Sequence, residues 1–300
     1  MVNKFMYFYM YELEEYLKKY SSKIKLLSFQ SDEANTDRPL KEFLKKVIEQ
    51  EFSSIPQNTN INHLNINGLD IVDVENVRNI KIEKVLLPDE VDLELKKSLN
   101  NDSSSISTNA DLCLKINYND SIYYKTIELK STKNNGIPGS SVQQVKPDQW
   151  VIFIKHKKGE EAKIVTGQYI HAFSKTMRFP DRSPRPEVSF SALVDWNIKN
   201  RIITNNKIIY NINEDDDVIQ IVNNWQEILA DRWVNIIFNN KNLKSNEPWF
   251  NNALREFTIS LLEKYDNLSN EEQNNLKFDL STLIEEYKDK EVNNVSNKFI

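Results

Sequence analysis

The sequence predicts an α/β protein: a central mixed β-sheet flanked by helices, followed by an α-helical C-terminal region. Three observations carry that prediction. Apolar runs of strand length, with polar or charged turns between them, fall at residues 80–87, 150–155 and 162–169. Two further short runs with period-two alternation meet across a polar turn inside residues 110–130. Stretches with helical spacing of apolar residues precede this region and fill the chain beyond residue 217. At 300 residues and 39% hydrophobic, the chain is long enough for one large core with an appendage.

In chain order, residues 11–20 read as an N-terminal helix packed by Leu13, Tyr16 and Leu17. A polar break follows. Asp37 then caps a helix with Pro39 in its first turn, running to about Phe52. Leu40, Leu44, Val47, Ile48 and Glu51 share one face of it, which turns Glu51 inward. His63, Asp70 and Asp73 show no ligand spacing and carry no assignment. The strand at 80–87 leads to an acidic helix at about 88–99 and a Ser-rich surface segment that ends at the 110–130 hairpin.

Beyond it, Gly136, Pro138 and Gly139 mark a loop, and Ser140 or Ser141 can cap a short helix carrying Gln143 and Gln144. The backbone amides of such a loop suit a phosphate. Two strands follow at 150–155 and 162–169. Residues 174–187 hold one Lys, three Arg and three Pro, so little regular structure is expected there. Strands at about 202–212 and helices at 217–238, 249–265 and 270–290 complete the chain, with Pro248 at a helix start and Ser269 and Glu272 as a capping box. The expected division is an N-terminal helical segment (1–37), a core (38–212) and the helical C-terminal region (213–300).

The chemistry concentrates in the hairpin. Leu112, Leu114 and Ile116 alternate with Asp111, Cys113 and Lys115; Ile127 and Leu129 alternate with Thr126, Glu128 and Lys130. Asn119 and Asp120 suit a two-residue turn, because both tolerate positive φ. Counting outwards from that turn brings Asp111 opposite Glu128. Two carboxylates opposed on a sheet repel, so they call for a cation between them. Two hard oxygen ligands with room for water and phosphate suit Mg²⁺ better than Zn²⁺, and Lys130 on the same face can hold a reacting water. Such a set serves phosphodiester hydrolysis. The plain alternative is an exposed hairpin face on which Lys130 neutralises Glu128.

Asn109-Ala110-Asp111 leading a hairpin whose second strand ends in Glu128-Leu129-Lys130-Ser131 resembles the catalytic core of the PD-(D/E)xK nuclease superfamily, which includes most type II restriction endonucleases. The resemblance implies a restriction-endonuclease-like core in which Asp111 and Glu128 bind Mg²⁺, Lys130 assists the attacking water and the Leu129 carbonyl is a further metal ligand. It also implies an extra acid on a preceding helix, for which Glu51 is the candidate, and a glutamine from the following helix, Gln143 or Gln144. Ala110 stands where the family name has proline. Glu-x-Lys also occurs at Glu94–Lys96, Glu161–Lys163 and Glu286–Lys288, but none of these ends a strand paired with one opened by Asp.

Composition sets further expectations. The single cysteine, Cys113, excludes an intramolecular disulfide and a Cys-rich zinc site, and points to the cytoplasm. The apolar N-terminal run is too short and too soon charged for a membrane span. A net charge of −5 argues against coating of nucleic acid and for a localised basic groove. Lys175, Arg178, Arg182 and Arg185 form the most basic irregular stretch, expected at the cleft for double-stranded DNA. No nucleotide-driven motor motif of the form G-x-x-x-x-G-K-[ST] is present. The expectation is a Mg²⁺-dependent type II restriction endonuclease acting as a homodimer on a symmetric site. Its rivals are a repair or junction-resolving nuclease on the same core and a non-catalytic DNA-binding protein.

Overall fold

The computed structural model describes residues 1–29, 38–68, 70–92, 95, 111–138, 149–178, 185–212, 225–239 and 248–296. It is mixed α/β and divides into two compact units: residues 1–176 with 185–218, and residues 177–184 with 219–300.

The first unit is built on a five-stranded sheet in the order β3-β4-β5-β7-β8. Its strands are β3 (Lys81–Leu86), β4 (Leu112–Tyr118), β5 (Ser121–Thr132), β7 (Trp150–Lys155) and β8 (Lys163–Gln168). All neighbours are antiparallel except β5 and β7, which run parallel and therefore need a crossover between residues 132 and 150. The crossover includes the short strand β6 (Gly136–Pro138). One face of the sheet carries Leu112, Leu114, Ile116, Ile127, Leu129, Ile152 and Ile154 into the main core.

Three helices precede the sheet: α1 (Val2–Lys18), α2 (Ser21–Phe29) and α3 (Arg38–Gln50). Residues 1–29 belong to the same compact unit as the sheet. Phe5, Met6, Phe8, Tyr9 and Met10 of α1 are buried in the main core, and the Tyr9 hydroxyl donates to the Phe52 carbonyl at 2.8 Å. The first ten residues are apolar around almost the whole helix circumference, the mark of a helix enclosed by its own fold. Leu40, Leu44, Val47 and Ile48 of α3 join the same core, as their spacing predicts.

Two smaller sheets complete this unit. The stretch around His63 and Asp73 forms β1 (His63–Ile66) and β2 (Asp70–Asp73), joined through Asn67 and Gly68 at φ 53° and 75°. They lie in a sheet ordered β11-β12-β1-β2, where β11 is Arg201–Thr204 and β12 is Lys207–Tyr210. The third sheet, β6-β10-β9, overturns the expectation of irregular chain at 174–187. β9 (Phe173–Arg178) and β10 (Arg185–Ser189) are regular. Pro180 and Pro184 fall between them, and β10 pairs with β6 only through Glu187, Val188 and Ser189, so the missing Pro186 N–H breaks no bond of that ladder. Helix α4 (Phe190–Asn200) follows at once, with the Ser189 hydroxyl accepting from the Ala192 N–H at 3.4 Å. Of the acidic helix expected at 88–99, only residues 88–92 and 95 are described.

The second unit contains helices α5 (Trp225–Asn239), α6 (Pro248–Asp266) and α7 (Asn270–Ser296). The Ser269 N–H donates to Glu272 Oε2 at 2.8 Å and the Glu272 N–H to Ser269 Oγ at 3.3 Å, the reciprocal pair of a capping box. Among the described residues no helix is long and apolar enough to cross a membrane.

Candidate active site

β4 and β5 form the hairpin with the register counted from its turn. Tyr118 pairs with Ser121 and Leu112 with Ile127. Asn119 and Asp120 take φ 51° and 61°, the positive values that a tight turn matching the strand twist requires. Asp111 stands one residue ahead of β4 and closes the hairpin differently from a strand residue. Its Oδ2 accepts from the Leu129 N–H at 2.7 Å, so a side chain takes the place of a ladder partner. N–H and C=O of one strand residue project to the same side. The Leu129 carbonyl therefore emerges on the edge where Asp111 sits, while Glu128 and Lys130 share the face opposite the main core.

Each carboxylate of this site meets a lysine. Lys130 Nζ lies 2.6 Å from Glu128 Oε1, and Lys41 Nζ of α3 lies 2.6 Å from Asp111 Oδ1. All four side chains are between 14% and 20% exposed, enough to stay reachable from solvent and too little for the charges to be well screened. Lys130 also stands 5.6 Å from the centre of the Tyr169 ring. Burial opposes its charge, but Tyr169, Glu128 and Asp111 together more than offset that and hold the ammonium above the ordinary lysine range. Lys130 thus stands in this site as a hydrogen-bond donor to Glu128 Oε1.

Lys41 was not legible as a site residue. It sits beside the apolar stripe of α3 and begins a column, Lys41, Lys45 and Glu49, with one residue per four. Lys45 binds Glu90 at 2.6 Å and Glu49 Oε1 accepts from the Val85 N–H of β3 at 2.8 Å, so the column docks α3 against the sheet. The spacing marks a polar face. Nothing in it names Asp111, far along the chain, as a partner.

Glu51 is a correction. Helix α3 ends at Gln50, Phe52 takes the buried position at 3% exposure, and Glu51 points outward. Its Oε2 accepts from the Tyr16 and Tyr20 hydroxyls at 2.7 and 2.8 Å, and those bonds hold its carboxyl below the ordinary range. The structure does not bring it to Asp111 and Glu128. Lys175 and Arg178 lie on β9 and Arg185 opens β10, while Gln143, Gln144 and Arg182 lie outside the described residues.

Among the described residues no group of three or more His, Cys, Asp and Glu side chains could hold a metal. The site offers two carboxylates and one carbonyl, all hard oxygens. Mg²⁺ keeps several waters and is held by one or two carboxylates in many phosphate-handling sites, so this donor set fits it. In this structure each carboxylate holds a lysine ammonium. Comparison of the chain with protein-family models, curated proteins and solved structures finds no match.

Proposed function

We propose that the chain is a Mg²⁺-dependent endonuclease that hydrolyses phosphodiester bonds of double-stranded DNA, of the type II restriction kind. The observation that carries this reading is the hairpin geometry, in which Asp111 reaches across to Leu129 at 2.7 Å and so brings its carboxylate to the strand that bears Glu128 and Lys130. Asp111, Glu128 and the Leu129 carbonyl would hold Mg²⁺, which when bound supplies positive charge for the phosphate and the leaving 3′-oxygen. Lys130, kept protonated, donates a hydrogen bond to the attacking water and balances charge developing on the phosphoryl oxygens. The parallel β5–β7 pair at the centre of the sheet gives these groups a rigid base.

A homodimer is proposed because cutting both strands of a symmetric site takes two catalytic sets. Exposed Phe257, Leu261, Phe278 and Leu283 on α6 and α7 support a protein partner for the second unit. Arg178, Arg182 and Arg185 are proposed to meet the duplex, since arginine suits both phosphates and guanine edges.

One observation favours a second reading. With Lys41 and Lys130 in place the four charges already balance, as in a non-catalytic DNA-binding protein that kept the hairpin as structure. Incubating a large unmethylated DNA with the protein and Mg²⁺ separates the two. Discrete fragments support the nuclease, and an intact substrate supports the second reading.

A further inference from the structure

We propose that Lys41 is a resident counter-cation that a metal ion must displace from Asp111, so that it sets how tightly the DNA-free protein takes up metal. This rests on the nuclease reading of the same site. Its own basis is geometric. The ammonium lies 2.6 Å from Asp111 Oδ1, and the pair is largely buried, at 20% and 16% exposure. The other Asp111 oxygen is committed to the Leu129 N–H at 2.7 Å. Oδ1 is therefore the oxygen a metal would take, and Lys41 holds it.

Lys41 is not a wandering surface lysine. Leu40 and Leu44 on either side of it are 1% and 0% exposed, which fixes the helix register. One turn on, Lys45 is tied to Glu90, and one turn beyond that Glu49 is tied to the Val85 N–H. The helix thus delivers the ammonium to Asp111 as part of its docking.

The charge count gives the consequence. Asp111 and Glu128 balance Lys41 and Lys130, so a divalent cation entering this quartet leaves two positive charges in excess at close range. At separations near 4 Å and an effective dielectric constant of about 20, such repulsion changes an affinity by an order of magnitude or more. Relief comes when Lys41 swings away, and the arrival of a phosphate group gives it a new anionic partner. Metal and substrate would then favour each other's binding, since coupling between two ligands is reciprocal.

The test is Mn²⁺ binding to the DNA-free protein, followed by titration calorimetry and by loss of the free-ion electron paramagnetic resonance signal. Lys41→Met is expected to bind Mn²⁺ on the order of tenfold more tightly than the wild type. Lys41→Arg, which keeps the charge, should bind as the wild type does, and Asp111→Asn should bind none. Lys41→Gln serves in place of Met should Lys41→Met fail to fold. Damage to the fold weakens binding, so a gain in affinity cannot come from a merely structural role. Wild type that binds Mn²⁺ while Lys41→Met and Lys41→Gln bind no more tightly overturns the proposal and leaves the metal site standing. No Mn²⁺ bound by any of these proteins overturns the metal reading, and this proposal with it.

Discussion

Glu14 on α1 and Asp111 ahead of β4 are both carboxylates met by a lysine, and they are met differently. Glu14 is 2% exposed, and its two oxygens accept from both terminal nitrogens of Arg201 at 2.9 Å, from Lys18 at 2.9 Å, and from the N–H and hydroxyl of Thr166 at 2.7 and 3.1 Å. Burial raises its carboxyl, but Arg201 first, then Lys18 and the Thr166 N–H, outweigh that and hold it below the ordinary range. The planar arginine fork fits the carboxylate on two bonds at once, and α1, β8 and the start of β11 are tied together there. Among the described residues Asp111 meets one lysine and one backbone N–H, with a second carboxylate on the neighbouring strand. The first cluster is saturated and its partners are not exchangeable without loss of fold. The second is held by compact ammonium groups, which on the nuclease reading proposed above give way to a metal ion.

That contrast breaks first at Asp111 and Glu128. Asp111→Asn and Glu128→Gln should each lower Mg²⁺-dependent cleavage by about 10³-fold or more, since each removes an anionic metal ligand. Their urea midpoints should move little. Cleavage near the wild-type rate in either variant would show that the hairpin is structure alone.

Glu14→Gln should do the opposite. Breaking a buried pair strands the Arg201 guanidinium, at a cost of about 3–5 kcal/mol of stability in urea unfolding. Cleavage per folded molecule should stay at the wild-type level. A near-neutral midpoint would mean that the Glu14 cluster is no more committed than the one at Asp111.

Lys130→Met should lower cleavage by roughly 10²-fold while Mg²⁺ binds at least as tightly as to the wild type, because Lys130 acts on the reacting groups and its charge opposes that of the metal. A loss as deep as that of Asp111→Asn would give Lys130 a larger part.

The smallest effect concerns His171, stacked on Trp196 with ring centres 3.7 Å apart. Burial pushes its imidazole down to about 3, so the folded state keeps it neutral while the unfolded chain protonates it near the ordinary value. Its contribution is complete above pH 6.5 or so and is lost as pH falls from there towards 3, amounting to about 2 kcal/mol by pH 5. His171→Phe, which keeps a stacking ring, should flatten the stability profile between pH 7 and 5. An unchanged profile would place the pH dependence elsewhere.

The hairpin was legible because everything that fixes it is local. Asn119-Asp120 sets the turn, the turn sets the register, and the register sets which residues face each other. The strands at Trp150–Lys155 and Lys163–Gln168, and helix α6, were legible for the same reason. Leu13 and Leu17 of α1 enter the core as their spacing predicts, but the helix starts at Val2, and Phe5 to Met10, apolar on nearly every side and so without a helical stripe to read, enter it too. Glu51 was misplaced because helical spacing was extended one residue past the end of α3, where Phe52 turns in instead. Lys41 and the Glu14–Arg201 pair were not legible. Each joins residues from distant parts of the chain, and a lysine or glutamate beside an apolar stripe carries no mark of what it will meet.

The measurement that bears most directly on the account is a digest of long unmethylated DNA with wild type and Asp111→Asn, each with Mg²⁺ and with EDTA in excess. Discrete fragments from the wild type in Mg²⁺ alone are the predicted result. An intact substrate in every lane, or the same fragments from Asp111→Asn, would contradict it.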